Sequence, residues 1–71
     1  MKYEIDYEEG EVTFILKKTQ VSFSAADLEN DNIYLSMRHY LAQDGESLEL
    51  SKADRQRIAS EIKGGPNEIR N

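Results

Sequence analysis

The chain of 71 residues contains no cysteine, no tryptophan, one proline and one histidine. The lack of thiols excludes disulfide staples and thiolate-bound metal. A single imidazole, His39, is too few for a zinc or iron site built on nitrogen ligands. No run of residues is long and apolar enough to span a bilayer, which takes about 20 residues. The opening stretch from Met1 to Asp6 is charged at every second position, unlike a secretory leader with its apolar middle. The expected location is therefore the cytoplasm. No Gly-rich phosphate loop or Gly-x-Ser-x-Gly elbow occurs, and no cysteine is present to act as a nucleophile beside His39. The four glycines, Gly10, Gly45, Gly64 and Gly65, sit where turns or helix stops are expected. A protein without catalysis, cofactor or metal is the expectation.

What the chain does have is charge. Charged residues make up 32% and hydrophobic residues 38%, with a formal net charge of −5. The apolar share supports a folded domain but leaves a small core. One domain over residues 1–63 is expected, followed by a polar, flexible tail over 64–71. Chains this small often gain stability by self-association, so a homodimer is also expected. Residues 1–50 carry four basic and eleven acidic side chains, and residues 51–71 carry five basic and three acidic. The acidic balance repels phosphates and argues against general nucleic-acid binding.

Residues 2–7 alternate, with Tyr3, Ile5 and Tyr7 on one face. Residues 11–17 alternate again, with Val12, Phe14 and Leu16 together. This period of two predicts strands, and Glu8-Glu9-Gly10 predicts the hairpin turn between them. Val21 and Phe23 predict a short third strand after a polar turn at 17–20. Ser24-Ala25-Ala26-Asp27 has the spacing of a capping box, with a helical turn running to Leu28. Glu29-Asn30-Asp31-Asn32 then interrupts it, since Asn and Asp favour turns.

The stretch 33–43 reads best as a helix. Ile33, Tyr34, Met37, Tyr40 and Leu41 share a face, with Asn32 as cap and Gly45 past the end. A strand over 33–37, or an extended piece at 48–50, is the alternative. Ser51-Lys52-Ala53-Asp54 is a second capping box. It opens a helix whose stripe is Ile58, Ala59 and Ile62, stopped by Gly64-Gly65-Pro66. Strands first and helices later predict an α+β fold: an N-terminal antiparallel meander packed against two helices.

Two charged features are candidate binding surfaces. Glu4, Asp6, Glu8, Glu9 and Glu11 form the densest acidic cluster, on the polar face and tip of the expected hairpin. The plain reading is a solvated face that keeps the strand edge from pairing with other chains. The functional reading is a patch that meets a basic protein partner, as an inhibitor or antagonist does. Arg55 and Arg57, with Lys52 and Lys63, make the last helix the only basic element. Solvation accounts for it in the plain reading. In the functional one it touches an acidic partner, a second copy's hairpin, or a nucleic acid as part of a regulator. Asp27, Glu29 and Asp31 mimic the start of a calcium loop, but Asn32 and Arg38 stand where glycine and glutamate are required. His39 has no catalytic partner in the sequence.

Overall fold

The computed structural model describes residues 2–65. Three strands, β1 (Lys2–Asp6), β2 (Glu11–Ile15) and β3 (Gln20–Ser24), form an antiparallel meander in the order β1-β2-β3. Three helices follow: α1 (Ala25–Glu29), α2 (Asp31–Gln43) and α3 (Lys52–Gly64). The fold is α+β, as the order of patterns predicts. No helix among the described residues is long and apolar enough to cross a membrane. Residues 66–71 of the expected tail lie outside the described residues, whereas Gly64 closes α3.

The period-two pattern sets the register. Tyr3 pairs with Phe14 and Phe14 with Val21; Ile5 pairs with Val12 and Val12 with Phe23. These six residues make one face of the sheet. The central-strand pair, Val12 and Phe14, is wholly buried, while Tyr3, Ile5 and Val21 on the outer strands are half-buried. The Phe14 ring lies 5.6 Å from Tyr3 and 5.9 Å from Phe23 in tilted and edge-on arrangements, which suit the quadrupoles of stacked rings.

Tyr7 departs from expectation. It is 47% exposed, because β1 ends at Asp6 and the chain turns. The Asp6 carboxylate accepts the amides of Glu8 and Glu9 at 3.0 and 3.1 Å. Gly10, at φ 72°, donates its amide to the Asp6 carbonyl. Leu16 also leaves its strand, donating to Thr19 across the second turn, but its side chain still packs on the core.

The helix ends follow their capping chemistry. Ser24 and Asp27 make the reciprocal capping box at α1. Asn30, rather than Asn32, caps α2 by accepting the Ile33 amide. It is the nearer residue because α1 and α2 share Asn30 as their junction. Gly45, at φ 76°, sits just past the α2 cap. Gly45 donates to Ala42 and Glu46 to Leu41, the paired bonds of a Schellman end. Residues 46–50 form no strand.

The sheet is covered by α1 and α3, which also pack on each other. The second helix makes its main inter-element contact with α1. Only part of its expected stripe faces inward: Tyr34 and Leu41 are buried and Met37 packs on the core. Ile33 (39%) and Tyr40 (60%) are exposed.

Two charged residues, Arg55 and Glu46, are buried among the described residues. Arg55 is 7% exposed. Its Nη1 donates to the Leu28 carbonyl at 3.0 Å and to Asp31 Oδ1 at 3.1 Å. The guanidinium lies over the Tyr34 ring, 4.4 Å from its centre. The physical logic is local. The carbonyls of the last turn of α1 have no partner within the helix, and Asp31 begins α2 one residue after the junction. A planar donor between them satisfies both. Tyr34 carries the network onward: its hydroxyl donates to the Leu48 carbonyl at 3.0 Å and accepts the Leu50 amide at 2.8 Å. The connection between α2 and α3 is thereby fastened to α2.

Arg55→Ala should lower stability by about 2–3 kcal/mol, from the unpaired Leu28 carbonyl and the space above Tyr34. Arg55→Lys should recover less than half of that, since an ammonium cannot lie flat over the Tyr34 ring as the guanidinium does. Urea unfolding measures both, and a fully restored Arg55→Lys protein would show that charge alone matters there.

Candidate interaction surface on the acidic hairpin

The outer face of the sheet is formed by the residues between the apolar ones. Three cross-strand rows run over it: Lys2, Ile15 and Gln20; Glu4, Thr13 and Ser22; Asp6, Glu11 and Ser24. The Thr13 and Ser22 hydroxyls are hydrogen-bonded at 2.8 Å. Glu4, Asp6 and Glu11 are exposed on this face, and Glu8 and Glu9 are exposed at the turn. The hairpin therefore gathers all five of the carboxylates that the alternation places on its polar side and tip. Asp6 lies directly opposite Glu11, a like-charged pairing that costs stability.

None of these five carboxylates is in an ion pair among the described residues. The ion pairs among the described residues lie elsewhere. Lys63 meets Glu29 at 3.0 Å, Lys52 meets Asp31 at 3.7 Å, Arg55 meets Asp31 at 3.1 Å and Arg38 meets Glu49 at 3.1 Å. Arg57 meets Asp54 at 3.4 Å and Glu61 at 3.8 Å along its own helix. The basic side chains of α3 are thus directed to acids of α1, α2 and α3.

This placement bears on the two basic candidates. Arg55 is enclosed at the helix junction and does not reach the surface. It stands three, four and seven residues before Ile58, Ala59 and Ile62, on the stripe that α3 turns inward, but its enclosure depends on the distant Leu28 and Asp31. Arg57 is half exposed. Tyr3 and Asp54 raise its pKa above the ordinary arginine value, the Tyr3 hydroxyl first. Neither arginine is brought into an ion pair with the hairpin acids.

The remaining titratable candidates are accounted for individually. Asp27 caps α1, Glu29 holds Lys63 and Asp31 holds Arg55. No three histidine or carboxylate side chains converge among the described residues. His39 is exposed on α2 beside Leu35, Arg38 and Ala42.

Glu46 is the second buried charge. It is 6% exposed and accepts the Lys18 amide at 2.6 Å. It joins the loop after α2 to the β2–β3 turn, below an open cleft of about 510 Å³ lined also by Lys2, Ile15, Leu16 and Lys17. No local pattern marks this contact, since 28 residues separate its partners.

Compared with known proteins, the chain matches no family model, no curated protein and no solved structure.

The Asp54 carboxyl is held below its ordinary value of 3.8, chiefly by the Arg57 guanidinium and then by Ser51. A carboxyl with a depressed folded pKa stabilises the fold above its unfolded pKa. That contribution is lost as pH falls through the lower folded value. Asp54→Asn should therefore flatten the stability profile below about pH 4 and leave its slope near neutrality unchanged. Thermal unfolding across that range checks it; an unaltered acid limb would disprove the assignment to Asp54.

Proposed function

We propose that the protein is a small, cytoplasmic, non-enzymatic interaction module, an inhibitor or antagonist that binds a basic protein partner through its acidic hairpin. The observation that carries this reading is the division of charge. The basic side chains of α3 are engaged within the fold, whereas Glu4, Asp6, Glu8, Glu9 and Glu11 are exposed and unpaired among the described residues. A protein indifferent to partners gains by placing a lysine opposite Asp6, yet Glu11 stands there. Retaining the repulsion has a rationale when the field of the whole patch attracts a positive surface.

A nucleic-acid regulator working through α3 has less support. Of the two arginines it needs, Arg55 is enclosed and Arg57 is flanked by Asp54 and Glu61. Phosphate binding requires accessible, uncompensated cations.

The test is capture of partners from native lysate at about 0.05 M and 0.5 M salt, a range over which exposed charges become screened. The wild-type chain is compared with a Glu4→Lys, Glu8→Lys, Glu9→Lys, Glu11→Lys variant. Asp6 is left in place because it structures the turn. A basic protein should be retained at low salt only, and only by the wild type. Retention independent of salt and of the four reversals would sink the proposal. Glu11→Lys alone should stabilise the fold by about 0.5 kcal/mol through its new pairing with Asp6, while weakening capture.

A further inference from the structure

The cleft above Glu46 lies at the end of the sheet away from the acidic turn. Lys2 pairs with Ile15 there, four residues along β1 from the pairing of Asp6 with Glu11, a separation of about 13 Å. Ile15 and Leu16 give the cleft an apolar wall, Lys2 and Lys17 flank it, and Glu46 and Ser47 close it from the loop after α2. Its volume of about 510 Å³ falls in the range of roughly 300–1,000 Å³ that small-molecule sites occupy.

Glu46 is the group in this cleft whose bonding is incomplete. It is 6% exposed, and its one hydrogen bond within the described residues runs from the Lys18 amide to Oε2. It is in no ion pair among them. A buried carboxylate is costly unless a cation or further donors meet it. Oε1 is not sealed away without a partner, as Arg55 Nε is. The open space beside Glu46 is the cleft, so a partner for Oε1 comes from that side. Lys2 and Lys17 are the complement. Both are exposed, and neither is in an ion pair among the described residues. Lysine stems lie along apolar surface while their ammonium groups stay in water. A cleft with a carboxylate at its base and two ammonium groups at its rim suits no ion of a single sign: a bare anion is repelled by Glu46, and a bare cation by the lysines.

We propose that this cleft binds a small zwitterion with an apolar body, the chemistry of a free apolar α-amino acid. The ligand's ammonium donates to Glu46 Oε1. Its carboxylate faces Lys2 and Lys17, and its side chain lies on Ile15 and Leu16. Two of these contacts are charge-assisted and the third removes apolar surface from water. The cleft is open and the ligand small, so the Kd is on the order of 1 mM. The site is separate from the hairpin carboxylates and does not depend on their having a partner.

Titration of the isotope-labelled full chain to about 20 mM ligand, followed by amide NMR shifts, tests the proposal. Leucine and phenylalanine are the zwitterionic probes. N-acetyl-leucine lacks the ammonium, leucinamide lacks the carboxylate, and inorganic phosphate lacks the apolar body. Leucine or phenylalanine should shift the Lys18, Glu46 and Ser47 amides saturably, and the other three probes should bind at least about tenfold more weakly. Glu46→Gln keeps an acceptor for the Lys18 amide and should erase the preference for leucine over N-acetyl-leucine. Lys2→Gln combined with Lys17→Gln should erase the preference for leucine over leucinamide. Absence of a saturable shift at these amides with both amino acids would overturn the proposal, as would phosphate binding as tightly as leucine. Survival of either preference in the variant meant to erase it would overturn it as well.

Discussion

The helical half of the fold turns on the contact of one guanidinium with the junction between α1 and α2. Two helices that share Asn30 leave unpaired carbonyls at the end of the first and a carboxylate at the start of the second. Arg55 arrives from α3 and meets both, with the ring of Tyr34 below it. A short helix such as α1, five residues long, is marginal by itself. It persists because Ser24 and Asp27 close its start, Arg55 occupies its end and Leu28 is buried against α3. The geometry of α2 then follows from Tyr34, held on one side by Arg55 and on the other by the Leu48 and Leu50 backbone.

Electrostatics divides the molecule along the same line. The helices contain acids and bases interleaved and largely matched, with α3 supplying cations to Glu29 and Asp31. Among the described residues the hairpin carboxylates have no such counterpart. Exposed ion pairs add little to stability, commonly under about 1 kcal/mol each, so the matching is better understood as leaving α3 without free positive charge. The consequence is that the exposed, unpaired hairpin carboxylates gather on the outer face and turn of β1 and β2. The proposed role and the chain's overall acidity are then two descriptions of one distribution.

The second helix shows why an amphipathic stripe is an incomplete guide. Ile33, Tyr34, Met37, Tyr40 and Leu41 share a broad sector, as their spacing indicates. The core has room for only part of it, because α1 and α3 already cover the sheet. Tyr34 and Leu41 go in, and Ile33 and Tyr40 stay out. Periodicity reports which residues lie together; it carries no information on how much of that sector the rest of the chain can cover.

The strands, the hairpin turn, both serine-capped helix starts and the glycine stops were legible because each depends on residues within a few positions of one another. Alternation sets strand faces, a serine oxygen finds an amide three residues on, and a glycine takes the positive φ that ends a helix. The α+β class followed from the order of those segments, and the exposure of the five hairpin carboxylates followed from the alternation. The enclosure of Arg55, the burial of Glu46 against Lys18 and the outward turn of Ile33 and Tyr40 were decided only by tertiary structure. Their partners lie 24 to 28 residues away for the two charged groups, and for the two apolar ones the deciding fact is that no other described segment covers them. Sequence spacing encodes neighbours along a helix or strand, whereas the competition among distant segments for a small core is settled only when they meet.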